Sequence, residues 1–477
     1  MTGPPEVDAV VVGSGPNGLA GAVALAREGF RVQVLEAADE IGGGTRSRDD
    51  LTVPGLVHDV CSAVHPFGAA SPFLRCLPLE RHGLVWAHPP VAVAHPLDDG
   101  TAGVLHRDLE ETVAGLGEDG PRWRRLFGPV AGGWEAIAAD LFGPVVRVPR
   151  HPVATVRAGL RSLPPAMTLA RLLRTRRARA LFGGVAAHVY QPLTRPLSAS
   201  VGVMMISAGH AHGWPVARGG SAAIARALAS LLTELGGEIV TGCHVRSLDD
   251  LPRARVALLD VTPRQAVEIV GERLPERARR RYRRYRHGPG AFKVDYAVRG
   301  GVPWTAEACR RAGTVHLSGD LEELVAAERD VHAGVLPPNP FVLVAQQHIA
   351  DPDRAVDDLV PLWAYAHVPH GYDGDATAII DAQIERFAPG FTERVVARHV
   401  TSPADLEAAN PNYVGGDIAG GATDPWQLIA RPRLSPDPYA TGAPGVRLCS
   451  ASTPPGGGVH GMCGYHAARS ALRVLLA

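Results

Sequence analysis

A short β-branched run that ends in a glycine-rich turn constrains this chain more than any other feature. Val7 to Val12 reads as a buried parallel strand, and it stops at GSGPNGLAG, Gly13 to Gly21. Gly13 permits a tight turn, Gly15 lets backbone approach a pyrophosphate with no Cβ between, and Gly18 lets a helix lie close to the strand. Pro16 suits a first helical turn, and Asn17 follows it. LAGAVALARE carries the helix to Gly29, and a second strand from Arg31 to Leu35 delivers Glu36. That acid falls 23 positions after Gly13. A carboxylate accepting from the adenosine ribose hydroxyls is expected about 20 residues on. Strand, turn, helix, strand and acid in this order point to a bound dinucleotide.

Two further segments favour FAD over NAD. Gly42, Gly43 and Gly44, followed by Thr45 and Arg46, come just after the second strand, where backbone amides and a guanidinium can cover a pyrophosphate. FAD needs that extra cover, because its ribityl and flavin extend beyond the diphosphate. At the far end, Val446 to Ser452 reads as a strand, Thr453 to Gly461 as a glycine turn, and MCGYHAARSALRVLL as a closing amphipathic helix. The amides and positive dipole end of that helix would face the flavin edge that gains negative charge on reduction. Ser452, Gly457, Gly458 and Met462 are the candidate contacts there.

Charge and cysteine usage narrow the class. Basic and acidic residues balance at 48 each, which removes the usual argument for a nucleic-acid partner. Lys293 is the only lysine. The six cysteines form no CxxC pair, so neither a zinc site nor a dithiol relay is expected, and they read as thiols of a cytoplasmic protein. No targeting leader is expected from MTGPPE, and no apolar run approaches the ~18 residues of a spanning helix, so membrane contact is expected to be peripheral. Helices are expected at Pro121 to Leu141, Ala166 to Gly183 and Ser221 to Leu235, and strands at Glu238 to Val245, Arg255 to Leu259, AFKVDYAV and FVLVAQQHI. The expected fold is α/β: a discontinuous Rossmann-like FAD-binding domain from residues 1–70, 210–270 and 432–477, and an α+β substrate domain on a mixed sheet from residues 71–209 and 271–431.

The amino-terminal block, GGGTRS and STPPGGGVHGMCGYHAA resemble the phytoene desaturase-like branch of the flavin amine oxidase superfamily. Within it the likeness is to the pyridine nucleotide-disulfide oxidoreductase domain-containing 2 group. HPFGAASPF from His65, WPVARGGSAAIARAL from Trp214, LLDVTPRQ from Leu258, WAYAHVPHG from Trp363 and EAANPNYVGGDIAGGA from Glu407 extend the resemblance over nearly the whole chain. It implies an FAD enzyme with a hydrophobic, isoprenoid- or lipid-like substrate. It also implies that Val245 backbone lies near the adenine and that Lys293 matches a lysine holding a water near flavin N5.

In AFKVDYAV, Phe292, Val294, Tyr296 and Val298 share one strand face and Lys293 and Asp295 the other. Lys293 either organises a proton or hydroperoxide pathway at the flavin, or is a strand-face lysine in solvent or paired with Asp295. His460, in the closing turn, is a second catalytic candidate or a residue that caps the turn. His210 and His212 are spaced like a strand pair, yet no metal-ligand constellation accompanies them. The arginine-rich stretches 171–179 and 273–286 read as solvated helices, or as surfaces for anionic lipid or nucleic acid. Three functions remain open: a dehydrogenase or desaturase reoxidised by oxygen or a quinone, a flavin amine oxidase, and an FAD-containing binding or interaction protein without turnover. Oligomeric state is not legible.

Overall fold

The computed structural model describes residues 6–477. The first five residues, on which the reading of the leader rests, lie outside the described part. Five parallel strands form one sheet in the order Val446–Leu448, Val256–Leu259, β1 (Ala9–Val12), β2 (Val32–Leu35) and Glu238–Val240. Every residue of β1 is buried, because layers cover both faces of the sheet. Ala9, Val11 and Leu258 pack under α1 (Pro16–Ala26), the helix Ala222–Glu234 and the closing helix Met462–Leu475. Val10, Val12 and Leu259 pack against the helix Pro263–Val270 on the other side.

A second, mixed sheet has seven strands: Val395–Thr401, Gly290–Arg299, Leu359–Val368, Val342–Ala345, Ala312–Leu317, Val91–Pro96 and Ala102–Leu105. All its pairings are antiparallel except the one between Ala312–Leu317 and Val91–Pro96. Its faces differ sharply in chemistry. Phe292, Val294, Tyr296 and Val298 enter an aliphatic core with Val342, Val344, Leu362 and Ala364. Register puts Lys293 beside Tyr365, and then Leu343 and His316, on the opposite face. The next row on that face holds Asp295, Trp363, Ala345 and Thr314. A helical layer roofs it, including Arg176–Ala187 and Ala199–His212.

Several expected elements are shorter or broken. The helix expected over 121–141 is two helices, Gly120–Ala131 and Trp134–Leu141, parted at Gly132 and Gly133. The one expected over 166–183 breaks between Ala166–Ala170 and Arg176–Ala187. There the buried Asp119 carboxylate accepts from the Arg174 and Thr175 amides, while the Thr175 hydroxyl caps the second helix at Ala178. The strand expected over Glu238 to Val245 ends at Val240, and FVLVAQQHI pairs only over Val342–Ala345 before a tight 3₁₀ turn. His210 and His212 sit on a helix, not a strand. Trp123 Nε1 donates to His210 Nε2, and His212 lies 3.2 Å from Glu135. Among the described residues no cluster of metal-ligating side chains forms and no helix is long and apolar enough to cross a membrane.

Candidate functional site

The site begins where β1 turns into α1. Gly13 has φ +97, open to glycine at little cost, and its amide donates to Leu35 O at 2.8 Å. A Cβ on Gly18 would lie 2.0 Å from Gly13 O, so only glycine lets the helix start this close to the turn. Pro16 occupies the first helical turn, and Gly15 at the N-cap brings no side-chain cap, which leaves this end of α1 to another acceptor. Glu36 Oε2 accepts from the Ser14 amide at 2.8 Å and the Ser14 hydroxyl at 2.6 Å, while Oε1 takes the Ala38 amide. Val245 is buried with Val12 and Leu35, just beyond the segment in which Cys243 N donates to Glu36 O.

The diglycine folds over this turn. Gly43, Gly44 and Thr45 form a short 3₁₀ helix held by the Thr45 hydroxyl on Gly42 O. A Cβ on Gly43 would stand 3.3 Å from Gly15 Cα, which defines a narrow backbone cradle. Arg46 leaves a buried Nε without a partner and sets its guanidinium 3.8 Å from Glu36. This set of amides, one guanidinium and one ribose-type carboxylate fits the diphosphate and adenosine of FAD.

Both chain ends meet here. The closing helix crosses α1 so tightly that a Cβ on Gly464 would lie 1.8 Å from Asn17 O. His460 is buried and its Nδ1 accepts the Met462 amide at 3.1 Å, so the first amide of the closing helix is already capped rather than free. Burial pushes the His460 imidazole down to about 4, keeping it the neutral acceptor this cap requires. The Ser452 hydroxyl donates to Gly420 O. Gly457 packs against Ala419 O and Gly458 against the Phe67 ring.

Residues that the sequence alone did not single out complete the site. Asp260 ends the buried strand Val256–Leu259, and its Oδ2 accepts from Gly18 N at 2.9 Å, between the motif glycines. Burial raises its carboxyl to about 7, partly offset by the Gly18 amide and reinforced by the charge of Glu36. An acid directly after an apolar buried strand, in LLDVTPRQ, is the signal that could have marked it. The segment 409–420 bridges the two ends: Arg46 donates to Ala409 O, Asn412 Nδ2 donates to Asp260 O, and Tyr413 covers Gly44.

Lys293 is buried and forms an ion pair with Asp295, whose other oxygen lies 3.4 Å from His58 Nδ1. Burial opposes ionisation of Asp295, but the Lys293 charge and the adjacent His58 imidazole outweigh it and hold the carboxyl below its usual range. The lysine therefore meets no solvent, and it stands on the polar sheet face. Tyr190 and Tyr365 stack there at 6.4 Å and 10°. His367 Nδ1 bonds Glu328 at 2.7 Å, while the buried His367 Nε2, Trp363 Nε1 and Gln191 amide have no partner.

Comparison with known proteins matches this geometry. Residues 11–77 fit the NAD(P)-binding Rossmann-like domain family. The chain is 25% identical to pyridine nucleotide-disulfide oxidoreductase domain-containing protein 2 of Rattus norvegicus, over 99% of this chain and 94% of that one. Hydroxyneurosporene desaturase of Cereibacter sphaeroides is 31% identical over 50% of this chain and 49% of its own length. Putrescine oxidase, solved as wild type bound to putrescine, superposes with a TM-score of 0.61 at 18% identity, covering 99% of both chains.

Proposed function

We propose that this FAD-dependent oxidoreductase, of the amine oxidase and desaturase type, dehydrogenates a substrate with an apolar, isoprenoid- or lipid-like body. The observation carrying this reading is the aromatic and aliphatic surface of Tyr190, Phe341, Leu343, Trp363 and Tyr365, buried beside the sole lysine on the sheet face. When bound, FAD supplies a two-electron acceptor that takes hydride at N5. The chain's own residues do the rest. The roofed sheet face excludes water and orients the substrate, since a misplaced C–H bond loses the advantage of proximity. Lys293, fixed by Asp295 and His58, is the group proposed to hold a water and move the proton. His460 is proposed to act through the turn it caps. The electrons leave to oxygen or a quinone. A cytoplasmic setting is part of the proposal, supported by six free thiols.

A second reading is amine oxidation, and the parallel Tyr190–Tyr365 pair is the observation that favours it. Anaerobic mixing of the flavin-loaded protein with isoprenoid, fatty-acyl and amine compounds tests both. Bleaching of the flavin bands by the isoprenoid or acyl compounds is expected. Bleaching by amines alone would transfer the assignment to the second reading. Reduction by dithionite and by nothing else would leave a binding protein without turnover. Lys293→Met is expected to retain FAD while slowing reduction or reoxidation, and unchanged rates in both half-reactions would remove the lysine from the mechanism.

A further inference from the structure

The helices that roof the polar sheet face carry an uncovered outer side. Of the 18 large apolar side chains exposed among the described residues, eight fall between Val145 and Leu172. Val153, Val156, Leu160 and Leu163 recur at steps of three and four along the helix Pro152–Ser162 and its C-cap, which places them in one stripe. Ala158 and Ser162, on the opposite side, are the buried residues of that helix. Val148 in the preceding loop is 89% exposed, Val153 71% and Leu160 65%. A patch of this kind on a soluble surface marks an interaction site.

Charge identifies the partner. From Leu141 to Thr233 the sequence holds twelve arginines and not one Asp or Glu. Arg150 and Arg157 are exposed beside the stripe, Arg171 is exposed farther along the chain, and none of the three makes an ion pair among the described residues. A second copy of this chain would set arginine against arginine across a twofold axis. Nucleic acid would gain nothing from a stripe of valine and leucine that offers no ring to stack on bases. Apolar side chains interleaved with unpaired guanidinium groups match a layer that is anionic outside and hydrocarbon beneath. We propose that this face docks on an anionic lipid bilayer surface, with the stripe buried at the headgroup boundary and the arginines on lipid phosphates.

Flotation of the full chain with vesicles tests this without requiring turnover, so its outcome is separate from that of the flavin assays. Co-flotation is expected with vesicles of phosphatidylcholine and phosphatidylglycerol in equal parts. It should fall at high salt and be weak on phosphatidylcholine alone. The double variant Val156→Glu, Leu160→Glu should lose at least about tenfold in partitioning. Replacing Arg150, Arg157 and Arg171 with Gln should lose on the order of fivefold for each arginine removed. All these positions are exposed, so circular dichroism and FAD content should match the parent protein and report that folding is intact. Failure of the parent protein to float with the anionic vesicles would overturn the proposal. So would variants that float like the parent, or a dimer in light scattering that Val156→Glu, Leu160→Glu dissolves.

Discussion

Asp260 is the residue whose chemistry departs furthest from what the glycine motif alone implies. Its carboxyl sits among the amides of the dinucleotide turn, and burial raises it to about 7. In an unfolded chain the same carboxyl titrates near about 4, so the folded state binds a proton more tightly between those values. Its contribution is present below about 4 and is lost as pH rises toward about 7, with an upper bound on the order of 4 kcal/mol. Asp260→Asn removes the titration, and the melting temperature of the variant should decline less than that of the parent over this range. Equal slopes would show that the carboxyl is not perturbed. Gly15→Val belongs to the same scale: a Cβ there would stand 2.8 Å from Asp260 Oδ2, and the protein should purify without FAD yet with a normal far-ultraviolet spectrum. That the glycines and Glu36 come together in one turn was legible because it depends on spacing along the chain. Asp260, Asn412 and Tyr413 were not, since they join the site through contacts that span the fold, such as Asn412 Nδ2 to Asp260 O. The AFKVDYAV alternation correctly divided the strand into two faces, but nothing local distinguishes a buried Lys293 from a solvated one.

At the scale of elements, the closing helix is held to α1 both by a buried apolar face and by close backbone approach. Gly461 faces Ala20 and Gly464 faces Asn17 O, so this helix and α1 meet backbone to backbone. Gly464→Ala inserts a methyl where no room exists and should cost on the order of 1–3 kcal/mol. If the helix forms one wall of the cofactor site, as proposed, FAD should also dissociate more readily. Thermal melts with and without added FAD check this, and a variant with unchanged stability and flavin retention would mean that the two helices separate at no cost. His460→Ala should cost less, about 1 kcal/mol, the usual loss of a helix cap. Such ends explain what the sequence could and could not specify about elements. β1, α1, β2 and the closing helix were legible because hydrophobic period and glycine punctuation agree there. The break before Arg176 was not, because the group that stops the preceding helix is the carboxylate of Asp119, more than fifty residues earlier.

For the whole molecule, the question is what keeps the polar sheet face aligned with the dinucleotide turn, and one arginine offers an answer. Arg354 is fully buried and bonds Asp59 at 2.6 Å, Asp351 at 3.0 Å and Ala217 O at 2.7 Å. Asp59 also accepts from Ser47 and from the Ser221 amide, just before the helix that packs under the parallel sheet. Its neighbour His58 reaches Asp295 on the lysine strand. Arg354 thus ties a segment of the mixed sheet to the chain around Ser47 and Ser221. Burial disfavours the charge of Asp59, but Arg354 more than compensates and holds its carboxyl low. Arg354→Met keeps much of the volume but strands two carboxylates, and removing one partner of a buried pair costs about 3–5 kcal/mol. The depressed carboxyl contributes its stability above the unfolded value near about 4, so the loss should be largest at neutral pH and shrink as the medium becomes acidic. Adding Asp59→Asn to Arg354→Met relieves one uncompensated charge and should recover part of the loss. Denaturant titrations of the two variants, each with FAD content measured alongside, give the comparison. If Arg354→Met proves as stable and as flavin-rich as the parent, the alignment depends on the packed cores alone and the ion cluster is incidental to it.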